Sequence, residues 1–390
     1  SLAYPLSSIL HPFSVMDVED KEKERLARME KNKLATKFKR WLDEMKAKNQ
    51  LILLDGGFSQ ELMKFVDFEH HPGWTAYANF DFLDAVQRVY ETYINLGCDI
   101  ITTNTYHHCI DRLVPLYGFD YTQKAFRCSI NIAHIARYSH KNEDNVRILM
   151  SIGSFATKMR DGSEYSGSYA RNVTPACIFR YYWQQCSIGA QQDYDGVIFE
   201  TIPTIVDVRC VIDMVEAVQM HDVIVSFCLE KLTLRDGTPL QEAVRMLLAA
   251  NNNQIIGVGI NCSDPSEGEE QIKTIVSCGW TAANKHIFIY PNSGESFVDG
   301  QYQGARAPLH QYVRAWHEAG ALAIGGCCRV SIAEMTRIRD VIYEINGVTE
   351  PPIRYRPSPR TLLPPGWFGS WFRNPYKLEE DKDERKIRAN

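Results

Sequence analysis

No apolar run in this chain approaches the ~20 residues that a helix needs to cross a bilayer, which argues against a membrane-spanning protein. Nor is there a marked excess of one charge. The chain carries 43 Lys and Arg against 48 Asp and Glu, a net charge of −5. Electrostatics therefore gives no reason to expect nucleic acid or an anionic membrane surface as a partner. No G-x-G-x-x-G opens the first helix, so nothing announces a dinucleotide site. Ser1 to Met16 lacks both a start methionine and the basic segment of a secretory signal. The 11 cysteines are odd in number and scattered from Cys98 to Cys328. That pattern excludes a compact disulfide scaffold and fits reduced thiols in the cytoplasm.

What is present is an alternation. From Leu51 onward, short apolar runs are followed by amphipathic segments, eight times over. The expected strands are Leu51–Leu54, Asp99–Thr103, Arg147–Ile152, Gly196–Phe199, Val223–Cys228, Ile255–Ile260, His286–Tyr290 and Ala321–Ile324. The helices expected after them are Phe82–Leu96, Tyr121–Tyr138, Ala176–Gln192, Ile205–Gln219, Leu240–Asn251, Glu267–Cys278, Ala307–Ala319 and Ile332–Glu344. Eight such units in about 300 residues predict an α/β fold, a (β/α)₈ TIM barrel spanning residues 50–347.

Two flanking segments differ in character. Residues 1–49 contain a charged amphipathic helix, with Leu26, Met29, Leu34, Phe38, Trp41, Leu42 and Met45 on its apolar face. That face is expected to cover the outside or bottom of the barrel. Residues 348–390 begin with a proline-rich stretch, Pro351 to Pro365, and then cluster Trp367, Phe368, Trp371 and Phe372. We expect a tail that docks its aromatic rings on the barrel or on a second subunit, so that the terminal segments support a homo-oligomer.

Barrel enzymes collect their chemistry just after each strand. Those positions here hold Asp55-Gly56-Gly57, Asn104-Thr105-Tyr106, Gly153-Ser154, Glu200-Thr201, Glu230, Asn261-Cys262, Pro291-Asn292 and Gly326-Cys327-Cys328. Nearly all are polar or reactive. Cys262, Cys327 and Cys328 would meet at one end of the barrel. Three thiolates bind Zn²⁺ and leave one tetrahedral position open, the mark of a catalytic site. The adjacent pair His107-His108 should diverge after its strand and serve the rim rather than a metal.

In order along the chain, Asp55-Gly56-Gly57, Thr103-Asn104-Thr105-Tyr106, Asp161-Gly162-Ser163-Glu164-Tyr165, Glu200-Thr201-Ile202-Pro203, Gly259-Ile260-Asn261-Cys262, Tyr290-Pro291-Asn292-Ser293-Gly294-Glu295 and Gly325-Gly326-Cys327-Cys328-Arg329 resemble the signature of the zinc-dependent homocysteine S-methyltransferases. The resemblance covers Leu51 to Tyr343. It implies a (β/α)₈ barrel and a zinc ion held by Cys262, Cys327 and Cys328. It also implies that Asp55 and Glu200 receive the substrate's ammonium group. Gly57, Phe58, Trp74, Asn104, Glu164 and Asn292 are then the further substrate-binding candidates, and Tyr106 joins Asp55 and Glu200 as a catalytic candidate. Ser154 and Val330-Ser331 depart from the family pattern.

The chemistry follows from general principles. A free thiol with a pKa near ~8.5 is mostly protonated at neutral pH, and a metal ion deprotonates it. The expected reaction makes methionine from homocysteine and a sulfonium donor, S-methylmethionine or S-adenosylmethionine. The faces of Trp74 and Tyr106 are candidates to meet the donor's cationic centre. The stretch from Asp161 to Gly167 resembles the S-methylmethionine-using branch more than the betaine-using one. Two other readings remain open here: methylation of another thiol or selenol such as selenocysteine, and a non-catalytic zinc-thiolate barrel that senses oxidation.

Overall fold

A computed structural model of the protein describes residues 36–138, 146–298 and 301–349. The expectations for Leu26, Met29 and Leu34 and for the proline- and tryptophan-rich tail lie outside the described residues.

Eight parallel strands form the barrel: β1 (Ile52–Leu53), β2 (Ile100–Thr102), β3 (Arg147–Gly153), β4 (Gly196–Ile202), β5 (Val223–Phe227), β6 (Ile255–Asn261), β7 (His286–Tyr290) and β8 (Ala323–Ile324). They pair in the order β1-β8-β7-β6-β5-β4-β3-β2. The circle closes between β1 and β2 through a parallel bridge from Leu54 to Ile100 and the bonds Asp55 N–Ile100 O and Asp99 N–Leu53 O. A helix α1 (Lys37–Ala47) precedes the barrel. The main helices around it are α2 (Leu83–Leu96), α3 (Phe119–Tyr138), α4 (Pro175–Gly189), α5 (Ile205–Val218), α6 (Leu240–Ala249), α7 (Gly268–Ser277), α8 (Val313–Ala319) and α9 (Ile332–Ile345). The fold is the α/β TIM barrel that the alternation predicts.

Side chains alternate across each strand, and this period of two divides the core. Val197 and Phe199 of β4 pack outward in the layer shared with the helices. Ile198 turns inward, to a cluster with Ile52, Leu54, Ile100, Leu149, Ile224, Ile256 and Phe288. One step further up the inward faces, the residues become polar: Thr102, Ser151, Glu200, Ser226, Asn261 and Tyr290. The barrel is therefore apolar at its lower end and polar at its upper end.

α1 plugs the lower end. Phe38 and Leu42 are fully buried and belong to the inward cluster. The Thr36 side chain caps the helix by accepting from Lys39 N and donates to Asp222. Asp43 reaches His286 Nε2 at 2.9 Å, and the Arg147 guanidinium lies 5.1 Å from the Trp41 ring centroid. This is the bottom-covering role expected of the amphipathic helix.

The structure differs from the expected boundaries in instructive places. β4 continues past Phe199 to Ile202, with a register shift against β5 between Phe199 and Ile202. Glu200 and Thr201 break the apolar pattern because they serve the barrel interior, not because the strand ends. The expected helix Ala307–Ala319 begins only at Val313, after a 3₁₀ turn at Leu309–Gln311. Pro308 removes a backbone donor at its start.

Candidate active site

The three predicted cysteines converge at the upper end. Cys262 follows β6, and Cys327 and Cys328 follow β8. Cys262 Sγ lies 2.9 Å from Cys327 Sγ and 3.9 Å from Cys328 Sγ, and the latter two are 3.9 Å apart. Ligands at ~2.3 Å in a tetrahedron sit about 3.8 Å from one another. Two of the three separations match that edge. The third is shorter, yet well beyond the ~2.05 Å of a disulfide. Among the described residues this is the group of His, Cys, Asp and Glu side chains that could hold a metal ion. Cys328 is held well below the usual thiol range by hydrogen bonds from Cys262 and Cys327. Cys262 is pushed well above it by its bonds to the same two neighbours and by burial. Three thiols this close cannot all ionise without a cation, and a soft divalent metal suits the donor set.

The backbone is shaped for this convergence. Gly57 passes so close to the cysteine loop that a Cβ on it would stand 2.7 Å from Cys327 O. A Cβ on Gly325 would stand 2.5 Å from Asp55 O. Gly326 N bonds Asp55 O and Cys327 N bonds Pro291 O, so the loop is pinned to the ends of β1 and β7. Cys262 and Thr201 both adopt left-handed φ, at 50° and 59°. For a β-branched threonine this is strained. Asn261 holds it there. Its Oδ1 accepts from Thr201 N at 3.0 Å and from Ser226 Oγ at 2.7 Å, and its Nδ2 donates to Thr201 Oγ1 at 2.8 Å. Strain that persists under such constraint gathers at functional sites.

Near the thiols lie two carboxyl groups, Asp55 buried and Glu200 half-buried. Asp55 Oδ2 accepts from Thr102 N at 2.7 Å and from Thr102 Oγ1 at 2.9 Å. Burial still raises its pKa to about 8, and Glu200 adds repulsion. Glu200 accepts from Ser151 Oγ, and burial raises its pKa to about 7. No cation pairs with either among the described residues. The Tyr290 hydroxyl is buried between Glu200 and Ser226, close enough to stabilise the Glu200 carboxylate. The Oδ1 of Asn292 is unpartnered. A buried polar atom left this way is costly unless a ligand completes it.

A cavity of about 160 Å³ adjoins the thiols on the β2–β3 side, lined in part by Trp74, Tyr106, His107, Thr157, Arg160 and Glu164. Glu164 has its pKa raised by burial, with a contribution from Cys328. Tyr106 lies among Glu164, Cys262, Thr201 and Glu200. The two adjacent histidines diverge as expected. His107 Nδ1 meets Thr75 Oγ1, and burial drops its pKa to about 3. His108 Nε2 meets Thr122 O in the outer layer.

Four expectations are refined. Glu230 does not face the site. It lies in a small hairpin with Thr233–Leu234, is 71% exposed and reaches Arg235 at 3.8 Å, because β5 ends at Phe227 and the chain turns outward. Asn104 spends both amide hydrogens inside the protein, on Thr75 O at 2.9 Å and Asn79 Oδ1 at 3.0 Å. It fixes the segment that carries Trp74. Phe58 packs its ring against Tyr90, with centroids 5.3 Å apart. One face of Trp74 already carries the Arg160 guanidinium, 5.0 Å from its centroid. The sequence motifs contained Asn261 and Tyr290 without giving either a role, and Ser151, Thr102 and Arg160 were passed over. For all but Arg160, a polar residue at an inward strand position was the available signal.

Comparison with known proteins follows this geometry. The family model for homocysteine S-methyltransferase matches residues 52–342. Homocysteine S-methyltransferase 1 of Brassica oleracea var. italica is 26% identical over 298 residues, covering 72% of this chain and 89% of that protein. The selenocysteine Se-methyltransferase of the same plant is 26% identical over 300 residues, covering 72% and 85%. The betaine-homocysteine S-methyltransferase of Drosophila melanogaster is 25% identical over 313 residues, covering 75% and 94%. Among solved structures, the metallated form of the homocysteine methyltransferase MmuM from Escherichia coli superposes with a TM-score of 0.67 at 22% identity. It covers 77% of this chain and 99% of that one. That likeness establishes the shared barrel. No helix among the described residues is long and apolar enough to cross a membrane.

Proposed function

The chain belongs to the homocysteine S-methyltransferase family, and on that premise we propose that it transfers a methyl group from a sulfonium donor to the thiol of homocysteine, forming methionine. The observation that carries the reading is one juxtaposition: three thiols gathered near two carboxyl groups, one buried and one half-buried, that no cation among the described residues neutralises. An amino acid that bears a thiol answers both halves of that arrangement at once.

Asp55 and Glu200 receive the ammonium group. A positive charge placed beside them restores the ionised carboxylates that burial disfavours. Asn292 Oδ1 is an unpartnered group at the same end, free to meet the rest of the head group. Cys262, Cys327 and Cys328 would hold zinc, whose Lewis acidity keeps a thiol deprotonated at neutral pH. Asn261 positions Cys262 through Thr201, whose hydroxyl also lies 3.8 Å from Cys262 Sγ. The thiolate's electron pair forms the new S–C bond as the donor's C–S⁺ bond breaks. The donor sulfur keeps that bond's electrons and leaves neutral, so the reaction needs no general acid. Tyr106, between Glu164 and Cys262, presents its ring where the cationic methyl group must pass.

The test is an assay of the full-length, zinc-loaded protein with homocysteine and a panel of methyl donors, together with metal analysis. Methionine formation with about one zinc per chain is the expected result. Stoichiometric zinc without methionine from any donor would refute the enzyme reading and leave a metal-binding barrel.

A further inference from the structure

The relatives differ by name in acceptor and donor at nearly equal similarity, so similarity does not choose the donor. The lining of the cavity offers a basis for choosing, because it carries both signs of charge. One is Arg160, which stacks on Trp74 and donates Nη2 to Glu69 O at 2.9 Å. Among the described residues no carboxylate forms an ion pair with it. Arg112 is near enough to repel it, so that corner is net positive. Also on the cavity wall is Glu164, largely withdrawn from solvent and again without a cationic partner among the described residues.

A planar guanidinium with free N–H groups is a carboxylate receptor. A withdrawn, unpaired carboxylate is an ammonium receptor. We propose that Arg160 and Glu164 together read the zwitterionic head group of a small amino-acid sulfonium, and that Arg160 is the specificity-determining residue for the donor. This rests on the methyl-transfer reading above and deepens it.

Three consequences narrow the donor class. First, Trp74 orients Arg160 rather than receiving the sulfonium, because a second cation on the covered face would be repelled. The cationic methyl group is left to Tyr106, on the thiol side. Second, the cavity is small, about 160 Å³, and partly open, a volume that S-methylmethionine suits. Third, a fully methylated ammonium such as betaine offers a carboxylate to Arg160 but no N–H to Glu164. His107, held neutral, adds no charge that would disturb this division.

The experiment is steady-state kinetics of the full-length, zinc-loaded protein with saturating homocysteine. The donors are S-methylmethionine, trimethylsulfonium, S-adenosylmethionine and betaine at equal concentration. The quantity read is the ratio of kcat/KM for S-methylmethionine to that for trimethylsulfonium, which has the sulfonium but no head group. Arg160→Gln should lower that ratio about 10- to 100-fold, the loss of a charge-assisted pair. Arg160→Lys should fall between, since it keeps the charge without the fork. Glu164→Gln probes the same cavity from the ammonium side and should lower the ratio comparably, which keeps the idea testable should Arg160→Gln fail to fold. An unchanged ratio in both neutralised variants overturns the assignment while the methyl-transfer reading stands. A wild-type preference for S-adenosylmethionine or betaine also overturns it. Absence of transfer from every donor removes the reading and the inference together.

Discussion

The two ends of the barrel solve opposite problems with similar residues. At the lower end the charged side chains find partners within the chain, although His286 Nδ1 and Gln254 Nε2 are left without one. Thr36 bonds Asp222, Asp43 meets both Lys39 and His286, and the Lys285 ammonium donates to Asn252 O and Ile255 O. At the upper end, buried Asp55 and half-buried Glu200 pair with no cation among the described residues, Asn292 Oδ1 lacks a partner, and Thr201 and Cys262 are held in left-handed backbone. Buried polar groups are satisfied where the fold needs stability. They are left wanting where a ligand is to complete them. The lower end therefore contributes stability, and the upper end gives some of it up for binding.

The sharpest way to break this comparison is at the thiols. Cys328→Ser should remove the metal and lower turnover by more than about 100-fold, since even groups that only support a metal ligand are worth 10–100-fold. Full zinc content with full activity in that variant would sink the assignment. Glu200→Gln should raise the KM for homocysteine on the order of 100-fold, through the lost charge-assisted contact, with zinc content unchanged. It should also raise the Tm of the substrate-free protein at pH 8. The sign follows from linkage. The Glu200 pKa is raised on folding from 4.5 to about 7, so the folded state holds the proton more tightly and loses stability as pH climbs through that window. A glutamine has no such loss. A fall in Tm at pH 8 would show that Glu200 is paired after all.

At the lower end the outcome should invert. Leu42→Ala removes a fully buried side chain from the plug and should cost about 3 kcal/mol of stability. Denaturant unfolding reads the loss, and turnover per folded molecule should hold. A milder probe of the upper end is pH. Methionine has the head group but no thiol, so its binding isolates the carboxylates. With pKa values near 7 and 8 in the free protein, its affinity should rise about tenfold from pH 6 to pH 8 through ionisation of Glu200 alone, and more steeply if Asp55 must ionise as well. A flat profile would contradict their role. The smallest effect belongs to Thr36→Ala, which removes the cap of α1 and the bond to Asp222. It should cost about 1 kcal/mol and leave the KM for homocysteine unchanged.

How much of this was legible beforehand follows from which interactions are local. The strand–helix alternation is written in hydrophobic period, and β1 to β8 appear within a few residues of their expected places. The three thiols are legible because each stands in a short motif at a strand end. The expected end of β4 at Phe199 fell short because Glu200 and Thr201 look like a loop when inward burial is invisible. Glu230 was misplaced for the converse reason, since a polar residue after a strand need not face the barrel axis.

The sequence by itself determined the eightfold alternation, the apolar lower layer and which three thiols meet at the upper end, because period and motif act over a few neighbouring residues. Only the tertiary structure decided that Asp55 and Glu200 go unpaired, that Asn261 pins a strained Thr201, that α1 seals the lower end, and that Arg160 lies on Trp74 beside Glu164. Each of those joins residues from separate strands or loops. The energies that set them, desolvation and close-range charge, depend on distances that only the closed barrel fixes.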